Sequence, residues 1–533
     1  MNARAGMGVR VPALLGLFTV FALIEAVRCS SLSSLSNADA WWHLSSGLWI
    51  LQHHALPHTG VFSQLSDAPW IDASWIYDLK LAIFYRLIGL RAIPVFSMGC
   101  KAGLAVVTFL LAGGRRGNFR AAVLISLVAQ YILAGVPPTP TYASVLLFGV
   151  ELVALLEARR SGRLPMWLPL VFLAWANADM HFVCGLGLLL LFAAVSVVEF
   201  SVAPPGLESG MAATHGLRRG LTPSAASRLD SSGDSRFSSF IKPGRQSIWM
   251  LGAVVAACML ATLITPYFFH PYQIFFGTTF SAANAYLPDC HAPGFRRAQD
   301  YVLLLLAMSG FLALGLRRSR DWFLIALLAI SAGVSFYSQR DVWVVVLAAV
   351  AVLGETVASS QFPVSGSQTP DSKAPWRELL ISGGLACLVL ALAAFVILPR
   401  SASALLGKVG ESYPVAASDV IRAQRLPQPL FNAFEWGGFL SWYLPEYPVA
   451  IDGRVTLYGD DYVVEYSKVM NADVRYTDFP AMANARTIVL PASAIMAQAL
   501  KTLPGFKVAY SDSVALVLTR DDGETPLQQV EKP

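Results

Sequence analysis

Three short polar clusters in an otherwise apolar chain carry the side chains that could do chemistry. Asp39 and His43 stand four residues apart, so a helix through them puts a carboxylate and an imidazole on one face. Such a pair can abstract a proton, or Asp39 can help hold a divalent metal ion. The same residues also suit an N-cap aspartate followed by an interfacial aromatic belt that includes Trp42. The second cluster, Asn177, Asp179 and His181, interrupts an apolar stretch. Polar groups at membrane depth are costly unless they line a cavity or pair with one another, although an ordinary loop between helices accounts for them equally. The third is basic: Arg296, Arg297 and Arg340 suit a phosphate or pyrophosphate, or ion pairs with Asp289, Asp300 or Asp341. His270 and His291 stand alone, as structural histidines usually do.

The elements that must position these groups are membrane spans. The 533 residues hold 39 Lys and Arg and 34 Asp and Glu, 14% charged in all, against roughly 25% in soluble domains. A soluble cytosolic enzyme is therefore a poor reading, and the net charge of +5 does not argue for nucleic acid. Eleven apolar stretches are long enough to suggest spans: Val11–Cys29, 91–113, 119–135, 142–158, 165–178, 181–200, 247–266, 300–316, 321–338, 342–357 and 377–398. Arginine clusters mark the intervening loops at Arg115, Arg116 and Arg120, at Arg159, Arg160 and Arg163, and at Arg317, Arg318 and Arg320. A fourth lies in the Ser-, Gly- and Pro-rich stretch 201–246, which reads, like 358–374, as a disordered linker. With the N-terminus cytoplasmic, every cluster falls inside, and an odd span count places the C-terminus outside. The three polar clusters then face the same outer compartment.

Two further outer elements follow. In the long loop 30–90, Ala38–His54 and Ser74–Gly89 read as amphipathic helices lying at the interface, the second with Asp78, Lys80 and Arg86 on its polar side. From 401 to 533 the balance turns acidic, 11 basic against 15 acidic residues. Short β-like runs at Pro429–Ala433, Val449–Asp452, Thr487–Leu490, Phe506–Tyr510 and Val514–Thr519 alternate there with helical stretches at Gly437–Leu444 and Ala492–Leu503. The fold class is thus an α-helical polytopic membrane protein, domain 1–400, with a small extracytoplasmic α/β domain, 401–533. Six scattered cysteines form no CxxC spacing, so neither a zinc site nor a disulfide framework is expected, one Cys29–Cys290 bridge aside. No phosphate-binding loop, HExxH or dinucleotide fingerprint is present, which disfavours nucleotide-driven transport and zinc proteolysis.

Against this frame, NADAWWHLSSGLWILQHHALPHTGVFS and APWIDASWIYDL resemble the first outer loop of bacterial GT-C-type membrane glycosyltransferases, which are related in architecture to protein O-mannosyltransferases. WANADMH, TPYFFHPY, HAPGFR and the tail FNAFEWGGFLSWYLPEYPVAIDGRVTLYG are similar to that group in the same order. The resemblance implies a GT-C fold in the bacterial inner membrane. It implies transfer of a sugar from a polyprenyl-phosphate donor to an extracytoplasmic glycan, lipid or protein acceptor, with Asp39 as base or metal-proximal carboxylate. His43, Asp179 and His181 would support the chemistry; Trp42, Asn177, Arg296 and Arg340 would bind substrate. The chain departs from the group at Gly60, where an aspartate is usual, and at Ala73-Ser74-Trp75, where His-Glu-Trp is usual. Thr265-Pro266 stands for the usual Asn-Pro, and no Arg-Pro pair is found near Pro140. Asp67 or Asp72 are the nearest carboxylates that could stand in for the missing pair. The alternative class is a non-enzymatic membrane protein, a lipid-linked glycan flippase or an inactive scaffold of the same fold.

Overall fold

The computed structural model describes residues 33–114, 119–134, 136, 139–201, 245–359, 388, 392, 398 and 401–520. The expected first and last spans, the linkers 201–246 and 358–374, Cys29, Arg115 and Arg116 lie wholly or almost wholly outside the described residues.

The helices are α1 (Ala38–His53), α2 (Trp75–Ile88), α3 (Ala92–Leu111), α4 (Phe119–Leu133), α5 (Thr141–Ser161), α6 (Leu168–Ala176), α7 (Phe182–Ser201) and α8 (Arg245–Thr262). After them come α9 (His270–Thr279), α10 (Ala298–Leu316), α11 (Trp322–Tyr337) and α12 (Val342–Ser359). Five stretches are long and apolar enough to cross a membrane: Trp75–Leu111, Thr141–Ser161, Phe182–Glu199, Ala298–Leu316 and Gln339–Ala358. Phe119–Leu133, Ile248–Thr262 and Trp322–Tyr337 are shorter apolar helices. The expected span 165–178 is corrected: α6 is 9 residues, about 13 Å of helix, and cannot cross about 30 Å of hydrocarbon by itself. Gly162 at positive φ ends α5, and an irregular segment leads back to α6.

Arginines tie one end of this bundle. Arg159 bridges Glu199 of α7 at 3.1 Å and Asp321 before α11 at 2.6 Å, and Arg160 pairs with Glu355 of α12. The starts of α5, α7, α10 and α12 therefore lie at the opposite end. Between the ends, Phe148, Phe172, Trp175, Phe182, Phe323 and Trp343 are buried together.

The second body begins at α13 (Ala402–Val409) and continues through α14 (Val415–Gln424), β1 (Leu430–Asn432), α15 (Phe434–Tyr443), α16 (Asp460–Met470), β2 (Thr487–Pro491), α17 (Ile495–Thr502), β3 (Phe506–Ser511) and β4 (Ala515–Arg520). The sheet order is β1-β2-β4-β3, with β1 parallel to β2 and the other pairs antiparallel. The expected strand Val449–Asp452 is corrected: it makes only an isolated bridge, Val449 to Ser63. Its backbone groups are used elsewhere. Val449 pairs through backbone bonds with Phe62 and Gln64 of the long loop, while the Asn432 side chain binds Ala450 N and Ile451 O. This segment fastens the domain to the loop instead of extending the sheet.

The aromatic face of α1 also departs from expectation. Trp41 does not sit at a lipid interface. It is fully buried against Tyr413, Phe439 and Trp442 of the C-terminal domain, with ring centroids 4.9–5.6 Å away. Asp78 is likewise not on a solvated polar face; it is fully buried, whereas Lys80 and Arg86 are exposed. Glycines permit the two close approaches. A Cβ at Gly47 would lie 2.0 Å from the Asp78 carbonyl oxygen, and one at Gly437 2.0 Å from that of Ile451. Gly437→Ala should therefore lever α15 off the 449–452 segment and cost about 1–3 kcal/mol of overpacking strain. A lower thermal midpoint with faster proteolysis at the domain junction is expected; an unchanged midpoint would show that this contact does not hold the domain.

Candidate functional site

At the end of the bundle away from the arginines lies a cavity of about 300 Å³, within the range of small-molecule sites. Its wall comes from both bodies: α1, the loop before α2, the starts of α5, α10 and α12, the turn between α6 and α7, and residues 453–456 of the C-terminal domain.

Asp39 enters it from the first turn of α1. The N-cap is Asn37, whose side chain accepts from Ala40 N at 3.0 Å, so Asp39 is released from capping. Its carboxylate accepts instead from Trp42 Nε1 at 3.2 Å. Burial raises the Asp39 pKa; His43 and the indole N–H oppose this, while Asp289 and Asp452 add to it. One turn on, His43 Nδ1 lies 2.6 Å from Asp78 Oδ1, both side chains almost wholly buried. Burial, opposed by Asp39, Asp72 and Asp179, pushes the His43 pKa down to about 4. The imidazole is thus neutral at neutral pH, with Asp78 holding one nitrogen and fixing the ring.

The second cluster is rebuilt by hydrogen bonds. His181 Nδ1 donates to Asp179 Oδ2 at 2.8 Å, Ser144 Oγ donates to the same oxygen, and Trp175 Nε1 donates to Ser144 Oγ at 2.6 Å. Burial alone would raise Asp179, but the His181 charge and the bonds from His181 and Ser144 hold it below the usual carboxylate range. The loop reading and the cavity reading thus both describe it: a turn between helices whose Asp179 and His181 line the cavity.

Asp39, His43, Asp179, His181, Trp42 and Arg340 all line this one cavity. Asn177 and Arg296 do not. Asn177 Oδ1 accepts from Trp75 Nε1 at 3.1 Å and its Nδ2 donates to the Leu173 and Ile264 carbonyls, so it pins the start of α2 to the bundle. Arg296 is exposed outside the wall, and its neighbour Arg297 lines it, 3.5 Å from Asp300 and bonded to Gln339. Arg340 Nε is buried with no hydrogen-bond partner. Of the two stand-in carboxylates, Asp72 lines the cavity and Asp67 does not. Asp72 is buried and raised well above its usual value by burial and by Asp78. Sequence reasoning missed Trp70 and Arg454, although they stand in APWIDASWIYDL and in the tail segment ending AIDGRVTLYG, two of the stretches that carry the resemblance. Among the described residues no three His, Cys, Asp or Glu side chains converge as a metal site. His270 and His291 bond backbone carbonyls of Tyr267 and Ala285, as structural histidines do.

No protein-family model and no curated protein matches this chain. Among solved structures it is similar to ArnT from Cupriavidus metallidurans in the apo state, with 15% identity, 97% of this chain and 98% of that chain covered, and a TM-score of 0.44. The same protein bound to undecaprenyl phosphate gives 14% identity, coverage of 95% and 98%, and a TM-score of 0.42. The apo oligosaccharyltransferase from Archaeoglobus fulgidus gives 14% identity, coverage of 96% and 75%, and a TM-score of 0.45.

The neutral His43 has a consequence for stability. Between its ordinary 6.5 and about 4 the unfolded chain binds the extra proton and the folded chain does not, so stability falls as pH drops through that window, by up to ~3 kcal/mol. The difference in thermal midpoint between the native protein and His43→Gln should therefore shrink from pH 7 to pH 4. A difference that grows on acidification would mean that His43 is charged in the folded state.

Proposed function

We propose that this protein is a membrane glycosyltransferase of GT-C type, moving a sugar from a polyprenyl-phosphate carrier to a hydroxyl acceptor outside the cytoplasm. The observation that carries the reading is the shared cavity: a released carboxylate, a fixed imidazole and two guanidinium groups converge at one end of an apolar bundle. The sequence resemblance of the first loop and tail agrees with it. The arginine clusters at the opposite end favour, by the positive-inside rule, a cavity facing away from the cytoplasm of an inner membrane.

In this reading Asp39 takes the proton of the acceptor hydroxyl while its oxygen bonds to the anomeric carbon. The bond from that carbon to the phosphate oxygen breaks, and polyprenyl phosphate leaves with the electron pair. Arg340, whose buried Nε lacks a partner, and Arg297 meet the charge that develops on the phosphate. Near Ala73-Ser74, where the resemblance would put a His-Glu pair, the ionisable groups are Asp72, Asp78 and His43. Burial and the neighbouring Asp78 raise the Asp72 carboxyl well above its usual value, and Asp78 orients the imidazole beside Asp39. The Asp39 carboxylate needs no metal for this step, though a divalent ion bound with substrate remains compatible with its position.

One observation favours a transport reading instead. Glu151, ten residues into α5 and about 15 Å from the cavity, is fully buried with both carboxyl oxygens unpartnered. A lipid-flipping protein would carry polar groups at such depth.

The two readings part on transfer from synthetic undecaprenyl-phosphoryl sugars by the purified protein. Asp39→Asn should lower turnover by about 10²–10⁴-fold. Because the base must be ionised, the acid limb of the native rate profile should lie above pH 3.8 and rise with pH. Transfer that is undetectable with every donor, or unaffected by Asp39→Asn, sinks the enzymatic reading. Arg340→Gln should weaken donor binding about tenfold or more, the loss expected for a charged hydrogen bond. Unchanged affinity for undecaprenyl phosphate would remove Arg340 from the donor site.

A further inference from the structure

The cavity holds a third arginine, Arg454, that the proposed transfer does not use. Arg454 is presented by the C-terminal domain and is 3% exposed. Its Nε donates to Asp452 Oδ1 at 3.0 Å and Oδ2 at 3.1 Å, and its Nη2 donates to Oδ2 at 2.6 Å. The guanidinium lies 5.0 Å over the Trp70 ring. This three-bond clamp leaves the Nη1 edge, which is buried and has no hydrogen-bond partner, although the Tyr458 hydroxyl stands near. Between the clamped pair, Gly453 lies against the base: a Cβ there would be 2.3 Å from Asp39 Oδ1 and 2.8 Å from Trp42 Nε1. Arg454 therefore borders the reacting position without touching the Asp39 carboxylate.

The Tyr458 hydroxyl interacts with this guanidinium but makes no well-formed hydrogen bond and is itself unpartnered, so the protein meets the buried Nη1 edge only in part and a ligand oxygen would complete it. The charge of that oxygen follows from the surroundings. Asp452 already neutralises Arg454, and Asp39 and Asp289 add negative charge to the same cavity. A carboxylate or phosphate placed at Nη1 would make the neighbourhood more negative, whereas a hydroxyl keeps it balanced. Phosphate is better met by Arg340, at the start of a membrane helix. The walls beside Arg454 are Trp42 and Trp70, indoles that suit the C–H face of a pyranose ring. Because the 452–454 segment belongs to the domain outside the spans, the ligand approaching it comes from water and not from the lipid.

We infer that Arg454, clamped by Asp452 and backed by Trp70, is the acceptor-binding element of the cavity, and that the acceptor it takes is a neutral sugar held through a hydroxyl. This deepens the glycosyltransferase reading, on which it rests. A charged peptide or uronic acid fits the site less well, and the two domains must stay docked for an acceptor to be held beside Asp39.

Saturation-transfer NMR on the purified full-length protein in detergent tests the assignment without any turnover. The probes are the methyl glycosides of glucose, galactose, mannose and N-acetylglucosamine, with glucuronate as the anionic comparison and undecaprenyl phosphate as a separate lipid probe. At least one neutral glycoside should receive saturation. Arg454→Lys, which keeps the charge but loses the Nη1 edge, should reduce it at least fivefold. The double variant Asp452→Asn/Arg454→Gln, which buries no lone charge, should do the same at an unchanged thermal midpoint. Undecaprenyl phosphate should bind both variants as it binds the native chain, and intact undecaprenyl-phosphoryl-glucose should leave the glycoside bound. The assignment is overturned by no saturation of any neutral glycoside, by saturation indifferent to Arg454, by an Arg454-dependent preference for glucuronate, or by displacement of the glycoside by the intact donor. Failure of the glycosyltransferase reading looks different: no sugar transfer and no Asp39 effect, whatever the glycosides do.

Discussion

Gly47 lets α1 lie so close to α2 that a single methyl group there would collide with the Asp78 backbone, and that approach is what closes the 2.6 Å contact between Asp78 and His43. The opposite side of α1 is pressed just as closely by the C-terminal domain, where Gly438 meets the Ala38 carbonyl and Trp41 fills an aromatic nest. One 16-residue helix is thus buried on two sides at once, and its first turn carries Asp39 into the space left between the two bodies. Loss of either approach would let the helix rotate, and Asp39, Trp42 and His43 would leave the cavity together. Dense packing makes such positions two-state in practice, filled or lost, because a packed interior transmits displacement instead of absorbing it.

The cavity also shows how a low-dielectric site can hold many ionisable groups. Asp78 is matched by His43, Asp179 by His181 and Ser144, Asp300 by Arg297, and Asp452 by Arg454. Each match, by a hydrogen bond at neutral His43 and by opposite charge or hydrogen bonds at the others, offsets part of the cost of taking these groups out of water. What remains on the wall includes the Asp39 carboxylate, one Asp72 oxygen, the Arg340 Nε and the Arg454 Nη1. A site that had balanced every group would be a rigid structural core. Away from the cavity, Glu151 is also buried with neither carboxyl oxygen partnered; on the wall, the unmatched groups stand where the base, the leaving phosphate and the acceptor hydroxyl of the proposed transfer would each need a partner.

Much of the helical body was legible along the chain. Stretches such as 91–113, 300–316 and 342–357 appear as α3, α10 and α12 within a few residues, since a 20-residue apolar run leaves the backbone no cheaper solution than a helix. Four of five strand expectations fall on β1 to β4, where β-branched and aromatic residues alternate between turns. The failures are of one kind. Segment 165–178 has the composition of a span but the length of a half-helix, and Val449–Asp452 has the composition of a strand while its backbone groups are taken by the long loop and by Asn432. The amphipathic pattern of Ala38–His54 and Ser74–Gly89 suggests an interfacial helix and a polar side for Asp78, whereas Trp41 and Asp78 are buried, because amphipathicity says that a face is buried without saying against what.

For the site, residue types and spacing alone singled out Asp39 and His43 on an outer interfacial helix and Asp179 and His181 as polar groups interrupting an apolar stretch. Spacing also determined that Asp39 and His43 share a helical face. Only the tertiary structure decided that Asn37, and not Asp39, caps that helix, that Asn177 is spent on holding α2, and that Arg297 lines the cavity while Arg296 faces away. It alone brought Arg454 from more than four hundred residues along the chain to the side of Asp39. The reason is physical: propensity and periodicity act over a few residues, whereas which donor meets which acceptor is settled by packing between elements that sequence distance does not connect.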